Sequence, residues 1–82
     1  MSEAITIRRV QDGVQYDHEI YVGEKRWGFY DSIRNRMATC DYTLLEYIQG
    51  LKKAIVISGP QDALMLFKSA YSLIQKDFPD AY

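Results

Sequence analysis

The chain has 82 residues, 48% of them hydrophobic and 26% charged, and its ten basic side chains against eleven acidic ones give a formal net charge of −1. That length suits one domain burying about 60% of its unfolded surface, and the near-neutral balance supplies no global field for nucleic acid or an anionic membrane. A single cysteine, Cys40, excludes an internal disulfide and points to a reducing, cytoplasmic setting.

Met1-Ser2-Glu3-Ala4 carries no basic stretch followed by a signal-peptide core, and no apolar run approaches the roughly 20 residues of a membrane span. The longest clean apolar run is Ala54-Ile55-Val56-Ile57. No repeat or linker divides the sequence, so residues 1–82 are expected to form a single domain.

Residues 4–10 and 14–22 alternate apolar and polar side chains with the period of half-buried strands. Asp12-Gly13 between them suits a two-residue turn that needs positive φ at both positions. That turn would set Ile5 opposite Ile20, Ile7 opposite His18 and Arg9 opposite Tyr16, while Arg8 meets Asp17 and Thr6 meets Glu19 on the other face. Gly23-Glu24 reads as a second reversal, leading into Arg26-Trp27-Gly28-Phe29-Tyr30 with Trp27 and Phe29 directed inward.

From Asp31 onward the pattern is ambiguous. Ile33, Met37, Cys40, Leu44, Ile48 and Leu51 form a helical stripe, yet Trp27, Phe29, Ile33 and Met37 also fit strand alternation. The spacing predicts a helix over residues 39–53, capped by Thr39 or by Thr43 with Glu46, and Lys52 and Lys53 suit its C-terminal dipole. Residues 54–58 read as a buried β-branched strand. A last helix then runs over residues 60–77, with Pro60 at its first position, Ser58 and Gln61 at capping-box spacing, and Ala63, Leu64, Leu66, Phe67, Ala70, Tyr71, Leu73 and Ile74 facing inward.

The expected architecture is therefore α+β in the order β-β-β-α-β-α: a mainly antiparallel four-stranded sheet with two helices packed on one face. The other face would stay open and carry Thr6, Arg8, Asp17, Glu19, Tyr21, Arg26 and Tyr30. The strand-to-helix junction at Ile55-Val56-Ile57-Ser58-Gly59-Pro60 is similar to the last unit of RNA-binding KH domains. The Gly-x-x-Gly loop that those domains place between two earlier helices has no counterpart, so their activity is not carried over.

Catalytic chemistry finds little material. The glycines at 13, 23, 28, 50 and 59 match neither a dinucleotide-binding fingerprint nor a phosphate-binding loop. With one histidine, His18, and one cysteine, no zinc-type ligand set is expected. Both residues fall on apolar stripes, so core packing outweighs a Cys–His nucleophile pair. No cofactor and no enzymatic activity are expected.

The seven tyrosines offer rigid contact area with polar tips. Tyr16, Tyr47 and Tyr71 fall on core stripes, Tyr21 and Tyr30 on the open face, and Met65 on the wet side of the last helix. The expected partner-binding residues are Arg8, Glu19, Tyr21, Lys25, Arg26, Tyr30, Arg34 and Arg36. The leading functional expectation is a non-enzymatic protein-binding module or inhibitor that occludes a partner surface, of which a phage-encoded anti-CRISPR or other anti-host factor is one instance. The alternative is a small nucleic-acid-binding regulator using the basic and aromatic residues around Lys25, Arg26, Arg34 and Arg36. Homodimerisation through an exposed strand edge is compatible with either.

Overall fold

The computed structural model describes residues 4–10 and 15–82. Strands β1 (Ile5–Arg9), β2 (His18–Val22), β3 (Lys25–Asp31) and β4 (Arg36–Thr39) precede helices α1 (Tyr42–Lys52) and α2 (Pro60–Asp77). The strands form one antiparallel sheet in the order β1-β2-β3-β4. The α+β class, the four-stranded antiparallel sheet and the two helices are as the sequence indicates. The order of elements is not: it is β-β-β-β-α-α, because the fourth strand comes from residues 36–39 rather than 54–58.

Asp31 explains that exchange. Its Oδ1 accepts the backbone N–H groups of Ile33 and Arg34 at 3.1 and 3.3 Å, and Asn35 takes a left-handed φ of 53°. An aspartate that bonds the backbone two residues on, followed by an asparagine that tolerates positive φ, reverses the chain. Residues 36–39 then return along β3, setting Met37 opposite Tyr30 and Thr39 opposite Gly28.

The first helix accordingly starts later than expected. Asp41, not Thr39 or Thr43, is its N-cap, with Oδ1 accepting the N–H of Leu44 at 3.0 Å. After α1 the N–H groups of Ala54 and Ile55 close on the Leu51 carbonyl at 3.0 and 3.1 Å, and residues 55–58 belong to neither helix nor strand. Of the apolar run, Ile57 is buried while Ile55 and Val56 are exposed. α2 has the predicted bounds. Its N-cap is Gly59 at a φ of 140°, and Asp62 rather than Gln61 folds back, accepting from the Ser58 N–H and hydroxyl at 3.0 and 2.8 Å.

The β1–β2 register is displaced by two residues from the expected one. Ile5 faces Val22, Ile7 faces Ile20 and Arg9 faces His18, while Thr6 meets Tyr21 and Arg8 meets Glu19. An even displacement keeps every side chain on its intended face, since strand side chains alternate with period two. The Asp12-Gly13 turn lies outside the described residues. Asp17 is held elsewhere, accepting both the N–H, at 3.0 Å, and the hydroxyl of Ser32 and pairing with His18 Nδ1 at 2.8 Å.

The core lies between one sheet face and the helices. Ile20, Val22 and Tyr30 meet Leu44 and Ile48 of α1 and Ala63, Leu66, Phe67, Ala70, Tyr71 and Ile74 of α2. The α2 positions recur at three- and four-residue spacing, the stripe of an amphipathic helix; Leu73, expected inward, is exposed. The shortest dimension of the molecule is 19 Å, which matches one sheet and one helical layer of about 10 Å each. Among the described residues, the opposite sheet face carries no helix.

Candidate protein-binding face

A β-bulge decides what the open face displays. Ile20 pairs with Gly28 and Tyr21 with Arg26, so Trp27 has no counterpart across the ladder. The extra residue inverts the alternation beyond it. Arg26 points outward, Trp27 turns in to meet Tyr71 and Tyr82 edge-on at ring distances of 5.6 and 6.0 Å, and Gly28 faces the helices. Phe29 then faces out and Tyr30 faces in.

Tyr30, expected on the open face, is therefore a core residue only 1% exposed. Its hydroxyl donates to Asn35 Oδ1 at 2.8 Å, and burial, with the nearby Asp17 charge, pushes its ionisation upward. Phe29, expected in the core, takes its place outside. The glycine within the β3 sequence is the available signal, because glycine inside a strand marks a bulge or a close backbone approach.

Six side chains on this face form a continuous network. The Arg8 guanidinium lies over the Tyr21 ring, 4.4 Å from its centroid. The Tyr21 hydroxyl donates to Glu19 Oε1 at 2.9 Å, and Arg26 Nη1 donates to Glu19 Oε2 at 2.9 Å. Arg26 also lies 5.2 Å from the centre of the Phe29 ring, which meets the Tyr16 ring at 5.5 Å. Tyr16 thus belongs to this surface and not to the core stripe assigned from its periodicity.

Glu19 organises the network. Hydrogen bonds from Tyr21 and then Arg26 hold its carboxyl below the usual range, while the same bonds raise the Tyr21 phenol and the Arg26 guanidinium. The Glu19 side chain is 16% exposed and that of Arg26 53% exposed, so the acid is shielded while the base remains reachable. Arg8 makes no ion pair among the described residues. Its guanidinium is fixed over an aromatic ring with its donors available to a partner.

Of the other expected contact residues, Lys25 is exposed at the start of β3, opposite Val22. Arg34 and Arg36 stand at the far end of β3, where both face Asp31 Oδ2, at 3.1 and 3.9 Å. Burial alone would raise the Asp31 carboxyl, but the Arg34 side chain and the backbone N–H groups of Arg34 and Ile33 outweigh it and hold it below its ordinary value. The basic patch proposed for nucleic acid is thus split between two ends of the sheet.

Beside the network lies a cavity of about 250 Å³ lined by Arg26, Trp27, Cys40 and Asp41. Cys40 is exposed there, which corrects its assignment to the core: β4 ends before it, so it leaves the Met37–Leu44 stripe of a helix that does not form. His18 is buried on the inner face beside Tyr30, at a ring distance of 5.8 Å, and Cys40 follows the other end of the β3–β4 ladder. Among the described residues no three His, Cys, Asp or Glu side chains gather where they could hold a metal ion, and no helix is long and apolar enough to cross a membrane. Comparison with protein-family models, with curated proteins and with solved structures finds no match to this chain.

Proposed function

We propose that this chain is a non-enzymatic binding module that grips a partner protein with the open face of its sheet and acts by stoichiometric occlusion. The observation that carries this reading is the continuous Arg8–Tyr21–Glu19–Arg26–Phe29–Tyr16 network on the face that neither helix covers. Arginine and aromatic residues concentrate in the energetic centres of protein interfaces. Their mutual contacts restrict the side chains before any partner arrives, which reduces the ordering cost of association. Arg8 and the exposed part of Arg26 favour a partner surface bearing carboxylates. A phage-encoded inhibitor of a host complex, such as an anti-CRISPR protein, is one instance of this class, supported by analogy of size and by the single prearranged face.

The test is affinity purification with the wild-type chain and with an Arg8→Glu/Arg26→Glu variant, alongside thermal melting of both. A protein recovered by the wild type and lost with the variant, at unchanged melting temperature, supports the reading. Equal recovery by both removes this face from consideration. Recovery of nucleic acid instead, with an affinity that falls steeply with added salt, overturns the protein-binding assignment.

A further inference from the structure

We infer that the free edge of β1 takes up an extended, acidic segment of the partner protein as a fifth, antiparallel strand. This deepens the protein-binding reading and rests on it, adding main-chain pairing beside the open face.

The ladder between β1 and β2 fixes which backbone groups are free. It is closed at its ends by bonds from the Gly23 N–H to the Ala4 carbonyl at 2.8 Å and from the Val10 N–H to the Asp17 carbonyl at 2.9 Å. Hydrogen-bonded pairs of an antiparallel ladder recur at every second residue. In the register that sets Thr6 against Tyr21 and Arg8 against Glu19, Thr6 and Arg8 therefore turn their N–H and C=O groups toward β2. Ile5, Ile7 and Arg9 turn theirs to the other side. Among the described residues no strand lies there and nothing bonds those groups.

The side chains at this edge are also incompletely covered. Ile5 and Ile7 pack against the core but are only half-buried, whereas their β2 partners Val22 and Ile20 are 1% and 0% exposed. A strand added beyond β1 would cover them as β1 and β3 cover β2. The opposite edge offers less, because β4 has four residues and Met37, Ala38 and Thr39 are all half-buried.

Charge names the occupant. Arg8 and Arg9 are both exposed, on opposite faces of β1, and neither makes an ion pair among the described residues. Glu19, across from Arg8, is committed to Tyr21 and Arg26. An antiparallel strand sets one residue opposite Arg9, the next opposite Arg8, and the following three opposite Ile7, Thr6 and Ile5. The complementary sequence, from N- to C-terminus, is thus acidic, acidic, apolar, polar, apolar. Main-chain bonds supply the affinity of such an added strand, and its alternating side chains supply the specificity. A second copy of β1 is the poorer occupant: pairing about Ile7 sets both Arg8 side chains on one face, two residues or about 7 Å apart along the strands, where like charges repel.

Amide hydrogen exchange by NMR tests the edge directly, with acetyl-Glu-Glu-Val-Thr-Val-amide as the probe and acetyl-Lys-Lys-Val-Thr-Val-amide as the control. The expected result is slowed exchange at the N–H groups of Ile5, Ile7 and Arg9 with the acidic peptide only, by about tenfold when about nine-tenths of the chain is occupied. No slowing up to millimolar peptide, or equal slowing by both peptides, overturns the proposal. So does slowing that rises with protein concentration alone, which makes a second copy the occupant.

Partner recovery then separates this edge from the open face. Arg9→Pro removes one outward N–H but no bond of the β1–β2 ladder, the setting in which an edge strand accepts proline. Arg9→Gln controls for the lost charge, and Arg26→Glu alters the open face alone. At unchanged melting temperatures, a greater loss of partner with Arg9→Pro than with Arg9→Gln supports strand addition, and equal effects overturn it. Loss with Arg26→Glu alone overturns strand addition and leaves the face reading standing; retention by all three variants overturns both. If Arg9→Pro melts early, the peptide exchange experiment decides.

Discussion

Gly28 and Phe67 are in direct apposition: a Cβ on Gly28 would stand 2.8 Å from Phe67 Cε2 and 3.3 Å from the Ala38 carbonyl oxygen. The bulge at Trp27 makes this approach, because it turns Gly28 toward the helices. Phe67 is fully buried. Gly28→Ala should therefore destabilise the protein by about 1–3 kcal/mol through overpacking, read as a lower midpoint in urea unfolding. Combining it with Phe67→Leu should cost less than the sum of the two single changes, since they act on one contact.

Tyr30 is the next discriminating position. Tyr30→Phe removes the hydroxyl that donates to Asn35 and should cost about 1 kcal/mol. Tyr30→Ala empties a core site and should cost about 3–5 kcal/mol. The larger loss would appear in thermal melting without any partner present, separating Tyr30 from proposed contact residues such as Arg8.

Acid should weaken the fold through carboxylates tied down in the native state. Asp17 is held far below the usual carboxylate range, chiefly by the Ser32 hydroxyl and then the Ser32 N–H, and Glu19 and Asp31 are also lowered. Depressed native values mean that the unfolded chain binds protons first. The stabilisation is thus fully present above the unfolded values of about 3.9 for Asp and 4.3 for Glu, and is lost as the pH falls through the lower native values. Urea unfolding at a series of pH values should show stability declining below about pH 4, with a shallower decline in Asp17→Asn.

Tyr82 clasps the start of α1. Asp41 caps α1 through Oδ1, and its Oδ2 accepts the Tyr82 hydroxyl at 2.6 Å. Asp41→Ala should cost about 1–2 kcal/mol, the upper part of the range for a lost cap. Tyr82→Phe should reproduce only the smaller share that belongs to the clasp. Thermal melting of both variants measures the division.

Much of this was legible before any coordinates. α2 announces itself through Pro60 and its apolar stripe, signals confined to adjacent turns. The faces of β1 and β2 were also readable, and survived a register displaced by two, because period two is indifferent to an even shift. Of the residues proposed to contact a partner, Arg8, Glu19, Tyr21 and Arg26 lie together as alternation implies. Tyr30 and Phe29 exchanged places because one bulged residue inverts everything beyond it, and strand periodicity contains no term for that insertion. Cys40 left the core because Asp41, rather than an earlier threonine, starts the helix.

The sequence by itself therefore determined the elements whose signals are local: turn chemistry around Gly23-Glu24, the amphipathic period of the helices and the polarity of the β1 and β2 faces. Only the tertiary structure decided which segment became the fourth strand. Residues 36–39 and 54–58 both carry strand character, but the Asp31–Asn35 turn delivers the former directly to the edge of β3. A strand joined by a four-residue turn needs less loop closure than one that returns after a helix. That competition left Val56 outside the sheet, and no reading of residue types alone contains it.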